Sequence, residues 1–64
     1  MTVARFYDPM DEQDQVRVEA VLRHGGIEYC VRRFGEAGGR SSEIHVAEED
    51  LPRADELVRR YLQR

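Results

Sequence analysis

The chain has 64 residues, of which 36% are charged and 41% apolar, and this balance predicts one globular domain, residues 1–64. A net charge of −3 and a pI of about 5.3 argue against broad electrostatic binding to nucleic acid or to anionic membranes. Its single cysteine, Cys30, excludes an intramolecular disulfide, and we see no signal peptide or membrane-spanning run, so we expect a cytoplasmic protein that a partner stabilises.

The first two predicted elements are a strand and a helix. The run TVARFY, residues 2–7, is rich in β-forming residues, and its alternation predicts that Ala4 and Phe6 face inward. Helical spacing of apolar positions then predicts a helix that begins within residues 10–14 and ends at the glycine pair 25–26. The expected buried positions of this helix are Val18, Val21, Leu22 and Gly25.

Two strands and a second helix follow. The runs IEYCVRRF (residues 27–34) and EIHVA (residues 43–47) alternate between apolar and polar positions, which is typical of strands with one buried face. Asp50 is predicted to cap the second helix, and Pro52 suits its first turn. The apolar stripe of this helix comprises Ala54, Leu57, Val58, Tyr61 and Leu62.

The element order β-α-β-β-α predicts an α+β fold with a three-stranded sheet. A right-handed crossover makes the first two strands parallel, and the hairpin makes the third strand antiparallel to the second. Two strand orders satisfy these rules, and one of them places the third strand between the first two. That order puts both helices on one face of the sheet, as in a ferredoxin-like half plait that lacks the final strand.

In that order the first strand lies at an unpaired edge of the sheet, where another strand can add. Two copies joined there would form a six-stranded sheet with a larger core, so we expect a homodimer through this strand. The alternative is that Arg5 simply keeps the edge solvated. The residues of the predicted dimer edge are Thr2, Val3, Ala4, Arg5 and Phe6.

The sequence also carries the landmarks of a known family. The segments VARFYDP, LRHGGIEYCV and IHVAEEDLPRADELV resemble the small bacterial domains classed as prokaryotic signal-transducing proteins. The resemblance implies a ferredoxin-like or PII-like plait without known catalytic activity, and it supplies no functional residues. The first helix region, MDEQDQVRV, is longer and more polar than the family pattern. The matching positions are Pro9, Leu22, Gly26, Ile27, Val46, Asp50, Ala54 and Leu57.

The glycine-rich stretch GEAGGRSS, residues 35–42, could hold a phosphate or turn the chain. A phosphate-binding loop joins a strand to a helix, and the P-loop form carries a lysine. This stretch joins two predicted strands and has no lysine. We therefore interpret it as a hairpin connection in which glycine permits positive φ.

Other candidate chemical groups do not form a known pattern. His24, Cys30 and His45 lack the clustered spacing of a zinc site. Ser41 and Ser42 lie close to His45 in sequence, but neighbouring residues of one strand do not make a catalytic triad. A reactive thiol would need more positive charge than one nearby arginine provides. We expect no enzyme activity, no metal and no cofactor.

The sheet face opposite the helices is the predicted functional surface. Pairing Phe34 with Glu43 in the hairpin would place His45 opposite Arg32 and Cys30 opposite Ala47. The pattern favours a non-enzymatic regulatory or adaptor domain that binds another protein there. The alternatives are a small ligand and single-stranded nucleic acid, whose bases would stack on the sheet as they do on RNA-recognition sheets. The signature motifs of those sheets are absent from this sequence. The predicted site residues are Arg5, Tyr7, Arg32, Phe34 and His45.

Overall fold

The computed structural model of the chain describes residues 2–35 and 41–62, so residues 36–40 of the glycine-rich stretch lie outside it. The order of elements is the predicted β-α-β-β-α. Within the described ranges, no helix has the length and apolar character that crossing a membrane requires. The elements are β1 (Val3–Tyr7), α1 (Glu12–His24), β2 (Tyr29–Phe34), β3 (Ser41–Ala47), a 3₁₀ turn (Glu48–Asp50) and α2 (Leu51–Leu62).

Strand β3 lies at the centre of the sheet. It pairs antiparallel with β1 on one side and with β2 on the other, so the strand order is β1-β3-β2. This is the predicted order with the third strand between the first two. The strands on either side of the glycine-rich stretch pair antiparallel, with Phe34 opposite Ser41, so Ser41 and Ser42 belong to β3, and the rest of the predicted connection, residues 36–40, lies outside the described residues.

Helix α1 starts within the predicted window. The Asp11 side chain caps it by accepting a hydrogen bond from the Asp14 backbone N–H at 2.8 Å. The Asp14 carboxylate in turn accepts the backbone N–H of Met10 at 2.9 Å. The first bond satisfies a donor that the first helical turn would otherwise leave open, and the second fixes how the chain enters the helix.

The turn that ends α1 makes β2 begin later than predicted. Gly26 has φ of 74°, which glycine adopts without strain, and its N–H donates to the Arg23 carbonyl at 3.0 Å. The Ile27 N–H donates to the Leu22 carbonyl at 2.9 Å, which completes a Schellman motif. This turn directs Ile27 into the core, so β2 begins at Tyr29 and not at Ile27 as predicted.

Helix α2 also begins differently from the prediction. Asp50 is not its cap but the last residue of the 3₁₀ turn Glu48–Asp50, which runs directly into Leu51. The three acidic residues of this turn stand at the N-terminal end of the helical segment, where the peptide dipoles favour negative charge. The Glu48 N–H donates to the Thr2 carbonyl at 2.9 Å, which ties the turn to the end of the sheet.

The core lies between β3 and the two helices. Both helices contribute to one cluster, so both cover the same face of the sheet. Gly25 allows Leu57 to approach the end of α1 closely, because a Cβ at this position would force the end of the Leu57 side chain to move. Tyr61 is 50% exposed at the margin of the predicted stripe. The buried cluster comprises Val18, Leu22, Ile27, Ile44, Val46, Ala54 and Val58.

Polar contacts also hold α1 on the sheet. The Tyr29 hydroxyl donates to Glu19 at 2.8 Å, and the Gln15 amide donates to the other oxygen of the same carboxylate at 2.8 Å. The Ser42 hydroxyl of β3 donates to the side-chain amide oxygen Oε1 of Gln15 at 2.9 Å. Burial raises the pKa of the Tyr29 hydroxyl, and its hydrogen bond to Glu19 raises it further. The polar side of α1 is therefore fixed to β2 and β3.

Leu22→Ala tests the core. Leu22 is fully buried, so truncation should lower the free energy of unfolding by about 2–5 kcal/mol or abolish the cooperative transition. Urea unfolding followed by circular dichroism measures this loss. Val16→Ala is the control, because Val16 is 58% exposed and its truncation should change stability by less than about 0.5 kcal/mol. Equal midpoints for the two variants would contradict the core assignment.

Candidate functional site

Alternation along β3 divides its side chains between two faces. Ile44 and Val46 enter the core, so Glu43 and His45 belong to the opposite face, which we call the open face. The open face comprises Val3 and Arg5 from β1, Cys30, Arg32 and Phe34 from β2, and Ser41, Glu43, His45 and Ala47 from β3.

The predicted hairpin register is wrong by two residues. Phe34 pairs with Ser41, and not with Glu43, because β3 starts earlier than the alternation of EIHVA indicated. Cys30 therefore lies opposite His45, and Arg32 lies opposite Glu43. A shift of two residues keeps every side chain on its predicted face, so the error changes the neighbours and not the surface.

Tyr7 is not part of the open face, which corrects its prediction as a site residue. The register of β1 shifts between Arg5 and Tyr7, and Tyr7 pairs with the core residue Ile44. The Tyr7 hydroxyl donates to the two oxygens of Asp14 at 3.1 and 2.9 Å. Burial, and then the bond to Asp14, raises the pKa of this hydroxyl. A bulge at Phe6 has turned the side chain from the open face to the helices.

Three charged or polar groups form a row across the open face. Glu43 Oε1 lies 3.0 Å from His45 Nε2, and Glu43 Oε2 lies 3.5 Å from an Arg5 guanidinium nitrogen. The same Arg5 nitrogen is 3.8 Å from Asp8. The hydrogen bond from His45, and then the charge of Arg5, lower the pKa of Glu43 although partial burial opposes them. Glu43 is thus held ionised at the centre of the row.

Apolar and aromatic side chains flank this row. Val3 is 52% exposed and Phe34 is 42% exposed, at the two ends of the open face. The Arg32 guanidinium carbon lies 5.6 Å from the centre of the Phe34 ring, within the range of a cation–π contact. The surface therefore offers a fixed polar centre with apolar ends.

A shallow pocket of about 220 Å³ lies at one end of the open face. It lies where the exposed thiol of Cys30 faces the nearly buried His45 across the two strands. No hydrogen bond joins this thiol to the imidazole in the described part of the chain. Across residues 2–35 and 41–62, no group of three or more His, Cys, Asp or Glu side chains is placed to hold a metal ion.

Four of the five predicted site residues share the open face: Arg5, Arg32, Phe34 and His45. Sequence reasoning did not place Glu43 among the site residues and named it as the predicted partner of Phe34 in the hairpin. The usable signal was the spacing of two residues between Glu43 and His45, because such residues stand side by side on one face of a strand.

The lowered pKa of Glu43 predicts a pH-dependent contribution to stability. A carboxyl whose pKa is lower in the folded than in the unfolded state stabilises the fold at pH values above its ordinary pKa of 4.5. That contribution is lost as the pH falls through the lower folded-state value. Glu43→Gln should therefore reduce the urea midpoint near neutral pH, and the difference from the wild type should vanish in acid.

The control for this experiment is Glu28→Gln, which alters an exposed carboxyl that lines the shallow pocket and does not belong to the row of Arg5, Glu43 and His45. It should leave the midpoint unchanged. A midpoint difference for Glu43→Gln that is constant with pH would contradict an ionised Glu43 held by His45 and Arg5.

Comparison of the chain with protein family models, with curated proteins and with solved structures found no match. The resemblance to prokaryotic signal-transducing proteins thus stays a prediction from sequence landmarks. The function of the open face must be inferred from the chemistry of its residues.

Proposed function

We propose that this protein is a small, cytoplasmic, non-enzymatic regulatory or adaptor domain that acts through protein–protein contacts. Its sheet and helices would form a ferredoxin-like half plait, and its role would be in signal transduction, as the family resemblance implies. The open face is the proposed contact surface.

The observation that carries this proposal is the open face itself. Both helices pack on the other side of the sheet, and among the described residues no element covers this side. Exposed Val3 and Phe34 offer apolar area, while Arg5, Glu43 and His45 form a row of polar groups that contact one another. Apolar contacts beside oriented polar groups are the usual composition of a protein interface.

Single-stranded nucleic acid and a small ligand are the alternative occupants of the same face. Arg5, Arg32 and the ring of Phe34 could contact phosphates and a base. Glu43 lies between the two arginine positions, and the chain is acidic overall, which disfavours a polyanion. A protein partner is therefore the favoured interpretation.

The proposal is tested by capture from the native cells with a tagged protein, with and without nuclease. Val3→Ser and Phe34→Ser each remove apolar area from the open face, so each should reduce capture of a protein partner without changing circular dichroism. Val16→Ser is the matched control, because Val16 has a similar exposure, 58% against 52% for Val3, on helix α1.

The outcomes separate the alternatives. A protein that survives nuclease treatment and is lost with both open-face variants, but not with the control, supports the adaptor function. Capture that disappears with nuclease, or that weakens steeply as salt rises, would replace it with nucleic-acid binding. Undiminished capture by both open-face variants would exclude this surface.

We also infer a homodimer formed by β1. The Glu48 N–H bonds the Thr2 carbonyl, and backbone groups alternate in direction along a strand. The N–H and C=O groups of Thr2 and Ala4 therefore face β3, and those of Val3 and Arg5 face outward. Two copies paired antiparallel about Ala4 would set Val3 of one against Arg5 of the other, which avoids opposing arginines.

Arg5→Pro tests this dimer. The outward direction of the Arg5 N–H means that proline removes a donor from the edge without removing a bond to β3. Light scattering should show a dimer for the wild type and a monomer for Arg5→Pro. Arg5→Ala keeps the N–H and should stay dimeric, which separates the backbone effect from loss of the Glu43 ion pair. Equal masses for the wild type and the proline variant would exclude the interface.

A further inference from the structure

We propose that the outer edge of β2 binds an extended segment of a partner protein that carries two adjacent carboxylates. The inference rests on the adaptor function proposed above and specifies the chemistry of the partner. Among the described elements β2 hydrogen-bonds only β3, so its other edge can accept a strand.

The backbone groups available on this edge follow from the pairing of the sheet. The even-numbered residues of β3 direct their backbone N–H and C=O groups towards β1, so His45 and Glu43 direct theirs towards β2. The backbone groups of their partners, Cys30 and Arg32, point towards β3. The N–H and C=O groups of Tyr29, Val31 and Arg33 therefore point away from the sheet, evenly spaced along the outer edge.

The two edges of the sheet are unequal. Strand β1 has five residues, and its register shifts between Arg5 and Tyr7, so its regular outer edge ends at Arg5. Strand β2 has six residues and pairs with β3 in unbroken register. Bulges and short strands limit strand addition. The edge of β2 is thus the longer regular template.

Charge selects the segment that can add there. Arg32 and Arg33 are both exposed, and neither forms an ion pair with a carboxylate of the described residues, whereas Arg5 on β1 is already bonded to Glu43 and Asp8. Consecutive strand residues point to opposite faces, so the two arginines offer one positive charge on each face. Two adjacent acids in an added strand would meet one arginine each.

The same charges disfavour a second copy on this edge. Pairing β2 with itself would crowd both arginines of each copy along one short seam, where like charges repel. Basic side chains on edge strands are a common protection against self-association. An acidic segment converts that protection into attraction.

The experiment uses the full chain and a synthetic probe, acetyl-Thr-Val-Thr-Glu-Glu-Val-Thr-Val-amide. Binding is followed by fluorescence anisotropy of the labelled peptide, and amide protection is followed by hydrogen exchange. We expect saturable binding that weakens as salt rises, with new protection at Val31 and Arg33. The same peptide with two lysines replacing the glutamates, and an N-methylated acidic peptide, should not bind.

Variants at Arg33 separate charge from backbone. Arg33→Ala removes the charge but keeps the outward N–H, and we expect affinity to fall about tenfold. Arg33→Pro also removes the N–H, which bonds nothing in β3, so the fold should persist while binding falls further. Arg17→Ala is the control, because it removes an exposed positive charge on helix α1 away from both edges, and it should bind as the wild type does.

Three results would overturn the proposal: equal binding of the lysine peptide, undiminished binding by Arg33→Pro, or protection that appears on β1 instead of β2. Concentration-dependent protection of Val31 without peptide would assign the edge to a second copy and also overturn it. Arg33 is not on the open face, so the two proposals can fail separately. If Val3→Ser and Phe34→Ser lose capture but the peptide does not bind at β2, the adaptor function is upheld and this inference fails.

Discussion

The alternation of side chains along the central strand is the constraint on which the rest of the structure depends. Because β3 pairs on both sides, its residues have only the two faces of the sheet for their side chains. Ile44 and Val46 fill the core under both helices, which sends Glu43 and His45 to the open face. Residues 43–47 of β3 thus supply the largest part of the sheet's contribution to the core, and they also supply the polar centre of the candidate site. A substitution that shifted its register by one residue would lose both at once.

The bulge in β1 has consequences beyond one side chain. It gives α1 a second contact with the sheet, since the Tyr7 hydroxyl donates to Asp14 at the start of α1 while the Tyr29 hydroxyl donates to Glu19 in its middle. It also shortens the regular edge of β1. The two edges of the sheet therefore differ: the regular edge of β1 is short, whereas the longer edge of β2 carries two arginines that form no ion pair among the described residues.

The small core would make the stability of this fold sensitive to contacts with other molecules. Within residues 2–35 and 41–62 the buried cluster has seven members, and polar contacts join α1 to the sheet. With one cysteine there is no internal disulfide to add stability. Burial of the open face or of an edge would enlarge the buried apolar area, so binding and folding stability would be coupled in this protein.

The amino-acid sequence by itself determined the number and order of the elements, the start of α1, most of the apolar positions and the face to which four of the five site residues belong. These features depend on the local spacing of apolar residues, on helix caps and on glycine at the end of α1. Each of these signals acts within one or two helical turns along the chain. The tertiary structure decided the hairpin register, the reorientation of Tyr7, the 3₁₀ entry to α2 and the row of Arg5, Glu43 and His45. Each of these depends on which residues of separate strands lie opposite one another. Local alternation is unchanged by a shift of two residues, and it does not reveal a bulge, so only packing of the assembled sheet against both helices could select among these arrangements.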